Sequence, residues 1–215
     1  VQQATAAIES AGAAVTYRVA RPIAVPADGS PHRTTITTFD LPAELDYITV
    51  PKLAEEAYLR ATITNNSDFS LLPGSAAIFH DADFVGTTAL ETIAPGATFE
   101  VQLGVDDRLT VERKLTEQST AKALVGNTKR TLYAYQITLT SHLAVPARVT
   151  VYDQVPLSRH EEIKAKLQDA TPRPTEQTGL NVLQWDLVLE PQAKRELQFS
   201  FLLEHPRNLR LVGIA

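Results

Sequence analysis

Apolar and polar residues alternate most regularly along the stretch from Thr131 to Ser158. Apolar side chains occupy every odd position from 133 to 139, and again positions 147, 149 and 151. A period of two residues is that of a β-strand with one buried face. Pro146 lies between the two halves and, lacking an N–H, cannot sit within a central ladder. The pattern predicts an antiparallel pair of strands joined near Pro146, which needs further strands for stability.

The same alternation recurs along most of the chain, in short segments separated by proline, glycine, asparagine or aspartate. The last two segments, 183–189 and 197–203, are predicted to form a second hairpin. Roughly a dozen strands at a spacing of about 8 to 12 residues are typical of sandwiches, so we expect an all-β fold with antiparallel β-sandwich architecture, in one or two sandwich-like lobes. The other predicted strands are Val15–Ala20, Thr34–Leu41, Asp46–Val50, Ala57–Asn65, the hairpin Ser75–Phe79 with Phe84–Thr88, and Phe99–Val105.

Composition along the chain suggests the domain organisation. Residues 1–14 are rich in alanine, which favours a short N-terminal helix or linker, the tail of an upstream helix. A first β lobe is predicted over 15–117 and a second over 130–215, packed with the first as one module. Residues 118–129 are polar and are predicted to be an exposed connection. The pattern of Glu161–Gln168 fits both a helix and a strand.

Overall composition excludes several classes of function. The chain has 215 residues, of which 44% are hydrophobic and 21% charged, as in ordinary globular proteins. A net charge of −5 offers no attraction for phosphate backbones, and no apolar run approaches the roughly 20 residues of a membrane helix. We therefore expect neither nucleic-acid binding nor membrane insertion. The absence of cysteine excludes disulfides and thiolate sites, and the absence of methionine, even at position 1, suggests a fragment of a longer protein.

The sharpest local motif is an acidic and basic cluster after a predicted strand. Asp106 and Asp107 could form a carboxylate pair or bind a hard cation, with Arg108 and Arg113 as partners. Adjacent residues of an extended chain face opposite ways, however, so the two carboxylates do not converge by themselves. We favour a tight turn in which an aspartate accepts backbone N–H groups and an arginine balances its charge, with these four residues as candidate interaction residues.

Other candidate groups have simpler structural explanations. His80, Asp81 and Asp83 could begin a metal site but lack further ligands at a suitable spacing, and hairpin tips are commonly polar. Trp185 could stack on a sugar, but its phase with neighbouring leucines favours the core. Asn65 begins a glycosylation sequon that also fits a turn. We predict no metal, no cofactor and no catalytic residue, although acids that converge only in the fold could still hydrolyse a sugar.

Several segments, in the same order, resemble the C-terminal domain of mucoidy-inhibitor-A-like proteins, the domain of unknown function 4139. The resemblance covers nearly the whole chain from about Val15 and depends on the ordered set rather than on one motif. The segments are Val50-Pro51, Ala57–Ala61, Leu71–Gly74, Phe84–Gly86, Ala94–Gly96, Leu103–Leu109, Val151–Ser158 and Leu183–Leu187.

This resemblance implies an upstream domain and a coiled-coil segment in the same protein, and an extended conformation for Ile163–Leu167. The family name alludes to suppression of exopolysaccharide-rich growth, and the family supplies no catalytic residues. We therefore expect a non-catalytic interaction or scaffold module of an envelope- or polysaccharide-related protein, with a protein or polysaccharide partner and an extracytoplasmic bacterial location favoured over a cytoplasmic one. The alternative is a carbohydrate-active or metal-assisted hydrolase that uses loop carboxylates.

Overall fold

The computed structural model describes residues 7–11, 14–18, 24, 26–80, 82–122, 127–158 and 160–209. Within these ranges the regular structure is entirely β, which confirms the predicted class, and no helix there could cross a membrane. The strands in chain order are β1 (Ala7–Ala11), β2 (Ala14–Arg18), β3 (Ala43–Thr49), β4 (Tyr58–Thr64), β5 (Gly74–His80), β6 (Asp83–Leu90), β7 (Thr98–Val105), β8 (Leu109–Lys122), β9 (Thr128–Ser141), β10 (Ala147–Gln154), β11 (Lys164–Thr171), β12 (Glu176–Gln177), β13 (Val182–Leu189) and β14 (Lys194–Pro206).

The chain folds into two compact units that are interleaved along the sequence. The first comprises Val1–Glu44 and Ala61–Val101, and the second comprises Leu45–Arg60 and Gln102–Ala215. A four-stranded sheet of order β11-β14-β9-β8 belongs to the second unit. A six-stranded sheet has the order β12-β13-β10-β3-β4-β7. The second unit contains β12, β13 and β10, together with the parts of β3, β4 and β7 that fall within its residue ranges.

The core of the second unit lies between these two sheets. On the buried side of the four-stranded sheet, the apolar residues of β9 lie beside those of its neighbour β14. Tyr133 stacks on Phe201 with 5.2 Å between ring centroids, and Tyr135 stacks on Phe199 with 5.5 Å. Trp185 comes from the other sheet and lies 6.0 Å from Phe199, so aromatic contacts join the two layers. Each such buried side chain contributes roughly 1.5–3 kcal/mol. The second unit is therefore a β-sandwich, and Trp185 is a core residue as predicted.

Both hairpins predicted within this unit are wrong, although their strands exist. β9 pairs with β8 and β14, whereas β10 pairs with β13 and, in parallel, with β3. β13 and β14 likewise lie in different sheets. Each connection carries the chain from one layer to the other, because alternation shows which face of a strand is buried but not which strand is its neighbour.

The first unit contains smaller pieces of sheet. β1 pairs with β2 and β5 pairs with β6, and the second pair confirms the hairpin predicted over 75–88. Residues 34–41, predicted as a strand, form no ladder. Phe39 of that segment instead packs edge-on against Phe69, with 5.3 Å between ring centroids. Alternation could not distinguish this segment from a paired strand, because it indicates apolar packing and not backbone pairing.

The secondary structure predicted for two segments needs correction. Ala7–Ala11 is a strand rather than part of a helix, because pairing with β2 outweighs the helical preference of alanine, and the rest of the predicted 1–14 segment lies outside the described residues. The exposed connection predicted at 118–129 is strand up to Lys122 and again from Thr128, because β8 continues to pair with β9. By contrast, Lys164–Thr171 is a strand, which confirms the extended conformation implied by the family resemblance.

Candidate functional site

Asp106 organises the turn between β7 and β8. Its backbone carbonyl accepts the N–H of Leu109 at 3.1 Å, and its carboxylate accepts the backbone N–H of Arg108 at 3.1 Å. The Arg108 guanidinium also donates to both carboxylate oxygens, from Nε at 2.8 Å and from Nη2 at 2.7 Å. Gly104, two residues earlier, has a φ of +90°, a region that side chains with a Cβ rarely adopt. The motif is thus a tight turn closed by its own ion pair, as predicted.

Tyr47 of β3 adds a second donor to this carboxylate. Its hydroxyl donates to Asp106 Oδ2 at 2.7 Å. The hydrogen bonds from Arg108, followed by that from Tyr47, hold the pKa of Asp106 well below its ordinary value. Burial, followed by the bond to Asp106, raises the pKa of Tyr47 to about 12. A carboxylate with a lowered pKa is a poor proton acceptor at neutral pH, so this arrangement does not favour general-base catalysis.

Arg113 lies in a separate cluster, in the interior of the sandwich. Its guanidinium donates to Asp153 of β10, from Nε to Oδ2 at 2.7 Å and from Nη2 to Oδ1 at 3.3 Å. The side chain of Asp153 is fully buried, and that of Arg113 is 14% exposed. The guanidinium carbon also lies 3.8 Å from the centre of the Tyr135 ring, within the range of cation–π attraction. Because β8 and β10 belong to different sheets, this ion pair ties the two layers together.

The four predicted interaction residues therefore do not form one site. Asp106 and Arg108 close a turn, Arg113 pairs across the sandwich, and Asp107 is exposed beside the turn. The backbone N–H of Arg113 additionally donates to Glu55 Oε1 at 2.6 Å, which occupies a donor on the edge strand β8. Occupied edge donors are one way in which sheets avoid unwanted pairing.

Sequence reasoning missed Asp153 and Tyr47 as partners, although a signal existed for the first. Asp153 follows Val149 and Val151 in the buried phase of β10, and Arg113 follows Val111 in the buried phase of β8. An acid and a base at inward positions of two strands predict a buried pair. The Tyr47 contact joins residues 59 positions apart and had no local signal.

The described residues at the end of the β5–β6 hairpin include two aromatic side chains exposed to solvent. Phe79 and Phe84 are 58% and 60% exposed, and their rings meet edge-on at 5.5 Å. His80 and Asp83 are the last and first residues of β5 and β6, while Asp81 lies outside the described residues. Over the described ranges, no group of three or more His, Asp or Glu side chains is arranged to hold a metal ion.

The sequon at Asn65 belongs to a buried turn. The Asn65 amide group donates to the carbonyls of Phe69 at 2.9 Å and Ile93 at 3.0 Å. Its side-chain oxygen accepts the N–H and hydroxyl of Ser67. The Asn65 side chain is fully buried, and both its nitrogen and its oxygen are hydrogen-bonded. Asn65 therefore stabilises the loop of the first unit and offers no atom to a glycan.

Comparison with known proteins places the chain in a family of unknown function. The family described as Domain of unknown function (DUF4139) matches residues 2–207. The chain belongs to the DUF4139 family. Protein F37C4.5 of Caenorhabditis elegans is 28% identical over 219 residues, an alignment that covers 94% of this DUF4139 chain and 38% of the worm protein. The chain thus spans less than two thirds of that relative, and no solved structure matches it significantly.

Proposed function

We propose that this chain is a non-catalytic interaction module in which the hairpin of β5 and β6 binds a protein partner. The observation that carries the proposal is the exposed pair Phe79 and Phe84 at the hairpin tip. Aromatic side chains are the commonest anchors of protein interfaces, because they bury a large area with little loss of side-chain freedom. Two such rings held together in solvent are suited to insertion into an apolar pocket.

The register of the hairpin supports this role. Ile78 pairs with Gly86, but Phe79 pairs with Phe84, so β6 bulges at Val85. Directly paired residues of an antiparallel ladder share one face, and a bulge re-aims the side chains beside it. The bulge therefore brings the two phenyl rings to the same side of the ribbon, where they contact each other.

Charge indicates the kind of pocket that would receive the rings. The only acidic or basic residues between Gly74 and Leu90, apart from His80, are Asp81, which lies outside the described residues, and Asp83, the first residue of β6. An acidic tip around an aromatic anchor fits an apolar socket bordered by lysine or arginine on the partner. Salt should therefore slow association with the partner, because complementary charges act mainly on the rate of encounter.

The charged groups of the second unit support a scaffold rather than an enzyme. Asp106 and Asp153 are each bound by an arginine and by further N–H or O–H donors, so their oxygens are used in holding the fold. The resemblance to mucoidy-inhibitor-A-like proteins supports placing the module in an envelope- or polysaccharide-related protein, outside the cytoplasm and following a coiled coil. We propose these finer assignments together with the module itself.

A binding experiment with matched variants tests the proposal. The whole protein is cross-linked in its own host, the partner is identified by mass spectrometry, and its affinity is then measured with purified components. We expect Phe79→Ser with Phe84→Ser to weaken binding by at least about 2 kcal/mol, or roughly thirtyfold. Leu53→Ser, at an 82% exposed apolar position, is the matched control and should bind as the wild type does.

Three results would contradict the proposal. Equal loss of affinity in the Leu53 control would show that any exposed apolar residue matters, and no loss in the double variant would place the interface elsewhere. Shortened chains produced from a purified polysaccharide by the wild-type protein would overturn its non-catalytic character and favour the hydrolase alternative.

A further inference from the structure

The outer face of the four-stranded sheet contains a polar depression of about 130 Å³. Six residues from all four strands provide its outward side chains. They are Thr116, Ala134, Asp169, Thr171, Gln198 and Ser200.

The depression follows from the register of the sheet. Ala134 of β9 pairs with Ser200 of β14, which places two small side chains next to each other at the centre of the face. The row on one side carries the longer pair Gln136 and Gln198, and the row on the other side carries two leucines. Small residues in one row, between rows of longer side chains, leave a hollow, whereas most polar sheet faces are even. We call this row of small residues the floor.

Both edge strands bulge in the row of this floor. Leu115 of β8 pairs with an inward residue, but after the bulge Glu117 pairs with the outward Ala134. Asp169 of β11 likewise follows a bulge and pairs with the outward Ser200. The two bulges thus turn an acid outward at each end of the row, three strand spacings or about 14 Å apart.

The polar groups around the hollow are largely unused by the fold. Within the described part of the chain, the side chains of Thr171, Gln198 and Ser200 make no hydrogen bond. Asp169 accepts the N–H of Ala170 with Oδ1 at 2.9 Å, and its Oδ2 accepts none from the described residues. The rim therefore offers hydroxyl, amide and carboxylate groups to a ligand, and no basic side chain lines it.

From this geometry we propose that the depression binds a neutral polyhydroxylated ligand, such as a pyranose ring or a cyclic polyol. Such a ligand has hydroxyl groups that donate to the Asp169 carboxylate and accept from the Gln198 amide and the Thr171 hydroxyl, so both kinds of rim group find partners. The Thr116 hydroxyl already donates to the carbonyl of Ala134 at 3.1 Å and offers the ligand only its oxygen as an acceptor. The floor row itself carries an acid at each end and no basic residue, which disfavours phosphate and other anions there, while Lys114 and Lys166 lie in the two flanking rows. The site is independent of the aromatic hairpin.

Titration of the ¹⁵N-labelled chain with glucose, myo-inositol, glycerol and glucose 6-phosphate tests the inference. We expect saturable shifts of the amides at 116, 134, 169–171 and 198–200, with dissociation constants in the millimolar range, on the order of 10 mM. Glucose 6-phosphate should bind at least several-fold more weakly. Stronger binding of the rings than of glycerol identifies a ring site, while equal binding identifies a general diol site, and both results support the proposal.

Two variants and one control test whether the ligand binds in the depression. Ser200→Leu fills the floor and should weaken binding about tenfold or more, and Asp169→Asn should weaken it several-fold while keeping the shape. Thr138→Leu, outward on β9 beyond the glutamine row, should leave it unchanged. No saturable shift with the neutral ligands at about 100 mM, or equal binding by the Ser200 variant, would overturn the proposal. Phe79→Ser with Phe84→Ser should not alter this titration, so failure of the hairpin proposal is recognised separately.

Discussion

Replacing Asp153 by alanine removes one partner of an ion pair that lies inside the sandwich. The Asp153 carboxylate is fully buried, and Arg113 reaches it with two donors while its guanidinium covers the Tyr135 ring. After the substitution the arginine remains largely enclosed without a counter-charge. An uncompensated charge in a low-dielectric interior is strongly unfavourable, so the folded state must lose much more than one ordinary hydrogen bond.

The expected magnitude follows from the burial of both partners. Removing one partner of a buried pair costs about 3–5 kcal/mol. For chains of 150–250 residues each kcal/mol lowers the Tm by roughly 2–4 °C, so we expect Asp153→Ala to lower it by about 6–20 °C. Arg113→Met keeps an apolar side chain over Tyr135, and combining it with Asp153→Ala should recover part of the loss. The coupling free energy between the two positions should therefore exceed about 2 kcal/mol.

Urea unfolding followed by tryptophan fluorescence is a suitable assay. Trp185 is the only tryptophan in the chain and lies in the core of the second unit, so its emission reports on the unit that contains the ion pair. The control cycle uses Arg130 and Glu204, whose side chains are 54% and 29% exposed and should couple by less than about 1 kcal/mol. A loss below 1 kcal/mol for Asp153→Ala, or equal coupling in both cycles, would refute a buried ion pair between the sheets.

Three further predictions concern single residues. The pKa of Tyr47 is raised from 10 to about 12 in the folded state. Its contribution to the free energy of unfolding, roughly 2 kcal/mol, is therefore complete below pH 10 and is lost as the pH rises toward 12. Tyr47→Phe should remove this alkaline loss of stability, as measured by unfolding curves at several pH values. The protein secreted from a eukaryotic host should carry no glycan on Asn65, as measured by intact mass. Asn65→Ala should lower the free energy of unfolding by about 2 kcal/mol or more, because two carbonyls lose their donor. Gly104→Ala should cost about 1–2 kcal/mol in urea unfolding, since its φ of +90° strains a residue with a Cβ, while Gly86→Ala, at an open position, should cost less.

Alternation identified most strands because each has one buried and one solvated face. The odd positions of β9 that were expected to be inward are buried in the core, and those of β10 and β14 behave likewise. Pairing could not be predicted in the same way, since the sequence of β10 shows nothing of its parallel neighbour β3, about a hundred residues earlier. Ala7–Ala11 shows the reverse case, in which local propensity pointed to a helix and a neighbouring strand determined the structure.

The candidate site was predictable only where its contacts are local. The turn formed by Asp106 and Arg108 spans three residues, and its residue types alone indicated it. The polar depression depends on two bulges in separate strands, and a bulge reverses the phase of every later side chain in its strand. No composition or spacing rule locates such a reversal, so the acids at either end of the row could be recognised only from the register.

Affinity and stability measured side by side on two variants distinguish a binding hairpin from a structural core most directly. For Phe79→Ser with Phe84→Ser, affinity for the purified partner should fall roughly thirtyfold while the Tm stays near that of the wild type. For Asp153→Ala the reverse should hold, with a Tm lowered by about 6–20 °C and the partner bound normally below the transition. Normal partner binding by the hairpin variant, or loss of binding by Asp153→Ala while it is still folded, would contradict the division of roles proposed for this chain.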